Sequence, residues 1–415
     1  MIDDLVIVGC GAAGLAAAIF ASRCRPDVRI RCFDGARHLG AKILVSGGSR
    51  CNVTNRTVTE RDFWGGSPRV VRHVLRAFPA ERTVTFFADL GVALHEEDDG
   101  KLFPDTNRSR TVLEALITEC ARRRVTLESG SRVVDLTRDG DLLIVRLADG
   151  RIARARAVVV ATGGQSLPKS GSDGFGYHLM QRLGHGIVAT TPALAPLLLD
   201  GDLHRRLSGV AHPAEVTLQV PGSSRLALTG DWLWTHFGAS GPLPLNLSRH
   251  WHRAEVQGQP ADVAVNVLPG ETFDRVESWL LEQARVRPRV QLSTVLASRL
   301  PTAVAVQWLE TNSIAGDTPL AHVVREDRRR LGHALTAMPL AVRGSRGYQY
   351  AEATAGGVSL QEVDPATLES RCCPGLYLAG EILDVDGRLG GFNFQWAWSS
   401  GYVAGQAAAR GLGRP

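Results

Sequence analysis

Glycines spaced as Gly9, Gly11 and Gly14 follow an apolar run, LVIV, and precede an alanine-rich one, LAAAIFA. Glycine at the turn, and again where backbone must approach a pyrophosphate, combines with the free amides and positive dipole end of a helix N-terminus to hold a dinucleotide. The same chemistry asks for an acid about 20 residues on, able to accept from a ribose hydroxyl, and Asp34 closes the next apolar segment, VRIRCF. A second stretch, AKILVSGGSRCNVTN, holds adjacent glycines Gly47 and Gly48, small hydrogen-bonding residues, Arg50 and a lone cysteine, Cys51. Beside a cation and loop amides the Cys51 thiol could deliver a proton. As a small apolar side chain it could equally pack beneath the loop.

Two more stretches carry glycine where a cofactor needs close backbone. AVVVATGG ends a buried apolar run at Ala161, Thr162 and Gly163, where a side chain would block contact. LYLAGEILDVDGRLGGFNFQWAWSSG sets Glu381 at a strand end and places Gly390 and Gly391 just before a helix, whose exposed amides would stabilise charge on a reduced ring. Further proton-carrying candidates are His236 in LWTHFGASGP, Lys169 in LPKSGSDG, and Tyr177. GASGP would aim Ser240 and the Gly241 backbone into the same cavity as His236.

The elements that must position these residues are legible in outline. Leu5 to Val8 reads as a buried strand, Gly14 to Ser22 as a helix, and VRIRCFD as a second strand ending at Asp34, a β-α-β start to a doubly wound sheet. Apolar positions recur at helical spacing from Val70 to Leu90 and again in TVLEALITECARRR, with Thr111 as its expected N-cap. Residues 125–161 change to a period of two, reading as a strand, a hairpin and a buried strand back to the sheet. After Gly186 the composition shifts to short alternating strands, then to amphipathic helices over 271–338.

The chain has 415 residues, 44% hydrophobic and 21% charged, a balance that excludes disordered and fibrous classes and provides for more than one core. Asp3 and Asp4 ahead of a short apolar run are unlike a secretory signal, and no uncharged apolar run approaches the roughly 18 residues of a membrane helix. Seven scattered cysteines without a CxxC pair suit reduced thiols, so the expected compartment is the cytoplasm. A net charge of +5 leaves room for an anionic substrate or RNA.

Taken together, VGCGAAGLAAA, AKILVSGGSRCNVTN, KLFPDTNRSRTVLEAL, ATGGQSLPKSGSDGFGYHLMQRLGH, LTGDWLWTHFGASGPLPLNLSR, AEATAGGVSL and the GEILDVDG to FNFQWAWSSG tail cover most of the chain. In these motifs and their order the sequence resembles the BaiN-type FAD-dependent flavoproteins, also labelled aminoacetone oxidase family enzymes, of the two-dinucleotide-binding-domain group. The resemblance implies a Rossmann-like, glutathione-reductase-like α/β domain for FAD with an inserted β-barrel-like domain and a small helical domain. The expected division is 1–186 and 357–415 for the cofactor domain, 187–268 with 339–356 for the β-rich domain, and 269–338 for the helical insertion.

It also implies FAD contacts at Gly9, Gly11, Ala13, Gly14, Asp34, Lys42, Ser46, Gly48, Arg50, Val133, Ala161, Thr162, Gly163, Gly380, Glu381, Gly391, Phe392 and Asn393. Many relatives carry Glu at the ribose position, so the shorter Asp34 must sit closer. No second GxGxxG follows a strand, which leaves NAD(P)H as a transient visitor to the flavin face. The implied activity is reduction of a conjugated or ring C=C bond, including uridine to dihydrouridine in 23S rRNA, with Cys51, His236 and Lys169 as candidates for proton transfer. An amine oxidase releasing peroxide and a non-catalytic flavin-containing RNA-binding factor remain alternatives.

Overall fold

A computed structural model describes residues 2–413; residues 1 and 414–415 of the expected cofactor domain lie outside the described residues. The chain divides into two units, one made of residues up to Thr191 together with those from Ala351 on, the other of Pro192–Tyr350.

In the first unit the opening apolar run forms β1 (Ile2–Val8), the alanine-rich run α1 (Ala12–Cys24) and the next segment β2 (Ile30–Phe33). Strand β1 pairs in parallel with β3 (Ile152–Val160), the strand that ends in the ATGG turn. The parallel core of the sheet runs Thr126–Glu128, β2, β1, β3. Strand β3 has two further partners. Its first half pairs antiparallel with Leu142–Leu147, while Val158, Val159 and Val160 pair in parallel with the late strand Leu376–Leu378. This sheet, with helices packed on it, is the Rossmann-type architecture expected.

Alanine and glycine dominate α1 because another helix lies against it almost backbone to backbone. That partner is α2 (Phe392–Gly411), from the far end of the chain. A Cβ on Gly401 would fall 2.6 Å from the carbonyl oxygen of Ala13, and one on Gly405 only 2.3 Å from that of Ala17. Small residues on one face of the C-terminal helix are thus a packing requirement.

Local details depart from the sequence reading in two places. The helical periodicity of 70–90 is two helices, Pro68–Ala77 and Ala80–Asp89, because Pro79 cannot continue the first. Thr111 is no N-cap: the helix starts at Ser109, and the Thr111 hydroxyl bonds that of Thr106 at 2.8 Å.

The second unit is built on an antiparallel sheet ordered Met338–Leu340, Asp262–Asn266, Ala211–Gln219, Leu226–Thr235, Gly238–Ser240, Leu197–Leu199, Val342–Ser345. Its two outer strands are separated in sequence by Ala341 alone, so the sheet must curl until its edges approach each other. Trp232 and Trp234 from the sheet pack with Trp308 of the helix Thr302–Thr311, all three fully buried. A 15-residue helix, Pro242–Val256, interrupts the stretch read as β-rich; proline at its first position presets the helical φ.

Replacing Gly405 by valine should lower stability by about 3 kcal/mol, the upper end for overpacking a close-packed contact, because the obstacle is backbone rather than a movable side chain. Urea unfolding of the two proteins measures this; an unchanged midpoint and slope would show that the helices do not approach so closely.

Candidate functional site

The geometry around α1 follows from the glycine spacing. Gly9 adopts φ +100° and leaves no room for a Cβ, which would meet the Ala161 carbonyl oxygen at 2.4 Å, while a Cβ on Gly14 would sit 1.8 Å from the oxygen of Gly9. Gly11 differs, since its Cβ position has nothing within 4 Å. Gly11 is also the N-cap of α1, with no side chain capping the helix. The first turn therefore presents amides beside open space, the arrangement that receives an anion. Asp34 stands at the end of β2 with one carboxylate oxygen accepting from Cys10 N and the other from Ala36 N, both at 2.7 Å. Burial raises its pKa against the effect of those two amides. Val133, buried, lies two residues past Ser131, whose amide donates to the Asp34 carbonyl at 2.7 Å.

Lys42 and Glu381 meet in an ion pair that also takes in Ser166. The other Glu381 oxygen accepts from Ser166 Oγ at 2.8 Å and from Thr354 N at 2.7 Å. Thr354 returns the connection, its hydroxyl accepting from Gln165 N at 2.8 Å and Ser166 N at 3.0 Å. Four chain segments are thus tied at one carboxylate: the 41–55 stretch, the turn after ATGG, the AEATAGGV strand and the AGE turn. Glu352 belongs to the same neighbourhood. Its carbonyl accepts from Ser166 Oγ at 3.4 Å and its side chain is exposed. Even so, surrounding protein raises its carboxyl pKa, with the attraction of Lys42 as the opposing influence.

The AKILVSGGSRCNVTN stretch is a short helical turn that breaks at Ser46, followed by left-handed backbone at Gly47, Gly48, Ser49 and Cys51. Ser46 Oγ donates to Ile43 O at 2.7 Å. Arg50 turns to Glu97, 2.7 Å away, and stacks over Phe103 with its guanidinium 4.2 Å from the ring centre. Gly48 keeps open space at its Cβ position. Of the two expectations for Cys51 the geometry favours packing: it is fully buried in the hydrophobic core, and burial pushes its thiol up to about 12. Arg50 points to another partner, and the Ser46 side chain alone works against the effect of burial, an environment that suits a packed thiol.

At the start of α2 the N-cap is Gly391, φ +91°, again without a capping side chain. With the Asn52 amide turned so that both ends are satisfied, its oxygen accepts from Gly391 N at 3.1 Å and its nitrogen donates to Thr54 O at 2.8 Å. Asn393 brackets Gly387, accepting from its amide at 2.8 Å and donating to its carbonyl at 2.9 Å. Phe392 is fully buried against Phe63, with the Arg388 guanidinium 4.1 Å from its ring centre. Gly380, whose Cβ position is 2.7 Å from Ala13 Cβ, brings the AGE turn against α1, and its amide donates to Ser400 Oγ at 2.9 Å.

Of the proton-carrying candidates, Lys169 is exposed on the short turn Pro168–Ser170. Tyr177 is buried, its hydroxyl donating to Glu381 O at 3.4 Å. His236 belongs to the second unit, exposed at a hairpin tip with its ring edge-on to Phe237. Sequence reasoning missed Ser166, Thr354, Asn52 and Glu352. The signal for Glu352 was a charged residue directly ahead of an otherwise apolar strand, in a motif read only as a family mark.

These residues fit FAD. Two uncapped helix N-termini and open space at Gly11 and Gly48 offer a cradle for polar atoms, and among the described residues the buried hydroxyls of Thr162 and Ser172 lack a hydrogen-bond partner.

Comparisons with known proteins agree. The chain is 34% identical over 403 residues to a 3-dehydro-bile acid delta(4,6)-reductase of Clostridium scindens, covering 97% of this chain and 98% of that one. It is 33% identical over 406 residues to a ribosomal RNA dihydrouridine synthase of Escherichia coli, covering 97% of each. In fold it is similar to the Escherichia coli quinol fumarate reductase subunit FrdA (TM-score 0.52, 18% identity, 99% of this chain and 70% of that one) and to 3-ketosteroid delta1-dehydrogenase of Sterolibacterium denitrificans (0.51, 13%, 99% and 100%). The family model described as HI0933-like protein Rossmann domain matches residues 3–407. The chain therefore belongs to the HI0933-like family of FAD-dependent oxidoreductases.

Proposed function

We propose that this oxidoreductase reduces a ring C=C bond, and that its substrate is a uridine of large-subunit ribosomal RNA, converted to dihydrouridine. The observation that carries the reading is an exposed carboxyl, Glu352, whose pKa is raised, on the segment that also braces the Lys42–Glu381 pair. FAD, when bound, supplies hydride transfer to one carbon. The second carbon then needs a proton, and the Glu352 carboxyl holds one at its oxygen better than an ordinary surface carboxylate. Both named relatives are, by those names, enzymes that saturate a double bond.

RNA is favoured by the composition of the basic residues: of 47, all but Lys42, Lys101 and Lys169 are arginine, whose planar fork matches phosphate oxygens. A target base must be extruded to reach a buried cofactor. The cradle residues would hold FAD through the amides of α1, Asp34 and the N-terminus of α2, with a nicotinamide donor visiting in turn. All seven cysteines are unpaired, which supports a reducing compartment, the cytoplasm. Among the described residues no helix is long and apolar enough to cross a membrane.

Purified protein with FAD, NADPH and a 23S rRNA transcript should form dihydrouridine, read by mass spectrometry of the digested RNA. Fast peroxide release in air without RNA would instead favour the amine oxidase. Glu352→Gln should lower the rate by about 100-fold with FAD still bound, the usual scale for losing a general acid. Wild-type activity should fall as pH rises through the raised Glu352 pKa, because the protonated form is the donor, and this alkaline limb should vanish in Glu352→Gln; a retained limb assigns the proton elsewhere. Cys51→Ala should keep its turnover. Gly11→Val should leave the stability of the FAD-free protein unchanged while weakening FAD by at least about 10-fold, since the side chain enters only the space meant for phosphate; equal loss of both would make Gly11 structural.

A further inference from the structure

His185, Glu362 and Cys372 converge at a point the flavin chemistry does not use. His185 sits on the turn after the helix Phe175–Arg182, Glu362 ends the short helix Leu360–Glu362, and Cys372 precedes the strand Leu376–Leu378. One ligand atom from each lies within 4.8 Å of the other two, and among the described residues this is the one such group. We propose that these three side chains form a binding site for one thiophilic divalent cation of the zinc class. The donors are an imidazole nitrogen, a carboxylate oxygen and a sulfur, a set that suits such an ion and leaves a fourth position for water.

The distances are close to those required. Around a tetrahedral ion with bonds of about 2.0–2.3 Å, ligand atoms stand about 3.3–3.7 Å apart. His185 Nδ1 and Glu362 Oε2 are 3.0 Å apart, so they open slightly, while Cys372 closes by up to about an ångström. Cys372 has the freedom to do this, being exposed on its turn with only a 3.7 Å contact from Sγ to Gly184 O. The other two are already held. Glu362 accepts from Gly186 N at 2.9 Å, and His185, its side chain wholly buried, faces Ser370 Oγ at 2.8 Å through Nε2. A hydrogen bond at the far ring nitrogen is the usual device that orients a metal-binding imidazole.

Proton positions follow from the same bonds. Ser370 Oγ accepts from Cys372 N at 3.1 Å and Cys373 N at 2.9 Å, so without metal its hydrogen points to His185 Nε2 and Nδ1–H donates to Glu362. On metal entry the Cys372 thiol gives its proton to solvent, while the imidazole exchanges its single hydrogen through solvent, losing it at Nδ1 and regaining it at Nε2, so one proton is released overall. The imidazole then carries hydrogen at Nε2, and the Ser370 hydroxyl turns to accept it. One dication with one thiolate and one carboxylate leaves the site neutral. Bound metal would staple three chain segments, one of them leading into the strand that carries the AGE turn.

The test uses the FAD-loaded protein freed of metal by chelator and dialysis, then titrated with Co2+ and, in competition, Zn2+. The expected result is one ion per chain with a thiolate-to-cobalt charge-transfer band in the near ultraviolet, bleached by Zn2+, and a melting temperature raised by Zn2+. Cys372→Ser, an exposed change that should fold normally, should lose the band and bind Zn2+ about 100-fold more weakly or worse, on the scale of losing a supporting group or more. Cys24→Ser, a cysteine outside the cluster, should change nothing. His185→Gln should weaken Zn2+ comparably while FAD absorbance stays intact. Binding well below one ion per chain, or a band that survives Cys372→Ser, overturns the proposal.

Discussion

The closeness of α1 to α2 is the constraint on which the cofactor unit depends. Carbonyl oxygens of Ala13 and Ala17 occupy the space where side chains of Gly401 and Gly405 would be. At that separation the two helices act as one body, and their N-termini, Gly11 and Gly391, belong to a single rigid support. Dispersion gains at such contact are individually small but numerous, and any added atom loses many at once. Charge stabilisation by helix amides works only if the amides do not move when the ligand's charge changes, so the tight packing is also an electrostatic property.

A second organising element is the Glu381 carboxylate. It collects Lys42, the Ser166 hydroxyl and the Thr354 amide from three distant stretches. A partly buried carboxylate with these donors is well compensated, and removing Lys42 would leave its charge without a counter-ion. The left-handed residues Gly47, Gly48, Ser49 and Cys51 are the other side of this arrangement. Ser49 and Cys51 hold backbone angles that cost about 1–3 kcal/mol each for residues with a Cβ, sustained because Cys51 is anchored in the core.

How much of this was legible in the sequence depended on whether the physics was local. The β-α-β start, the glycine spacing and Asp34 were readable because turn, strand and helix signals lie within 35 residues. The small-residue face of the last helix was visible too, though not what it faced. Cys51 was ambiguous because neighbours in sequence, Arg50 among them, do not say which way a side chain points; the left-handed φ turned it inward and Glu97 took the arginine. Glu352, Ser166 and Thr354 were missed because their role arises from contacts across as many as 215 positions. The Thr111 cap failed for a smaller reason, since a helix may begin wherever tertiary packing supplies partners, as it did at Ser109, whose hydroxyl donates to Leu44 O.

The pairing of β3 with Leu376–Leu378 and of α1 with α2 has a consequence for biosynthesis. The Pro192–Tyr350 unit is one uninterrupted piece of chain and can fold as soon as it leaves the ribosome. The cofactor unit cannot, because its central sheet and its first helix wait for Leu376–Leu378 and α2 to be made. Until then the apolar surface of α1 and the edge of β3 stay uncovered, which makes the nascent chain dependent on protection while the inserted unit is being made. A truncation before α2 would be correspondingly severe: it would remove one of the two helices and leave the other without its packing partner.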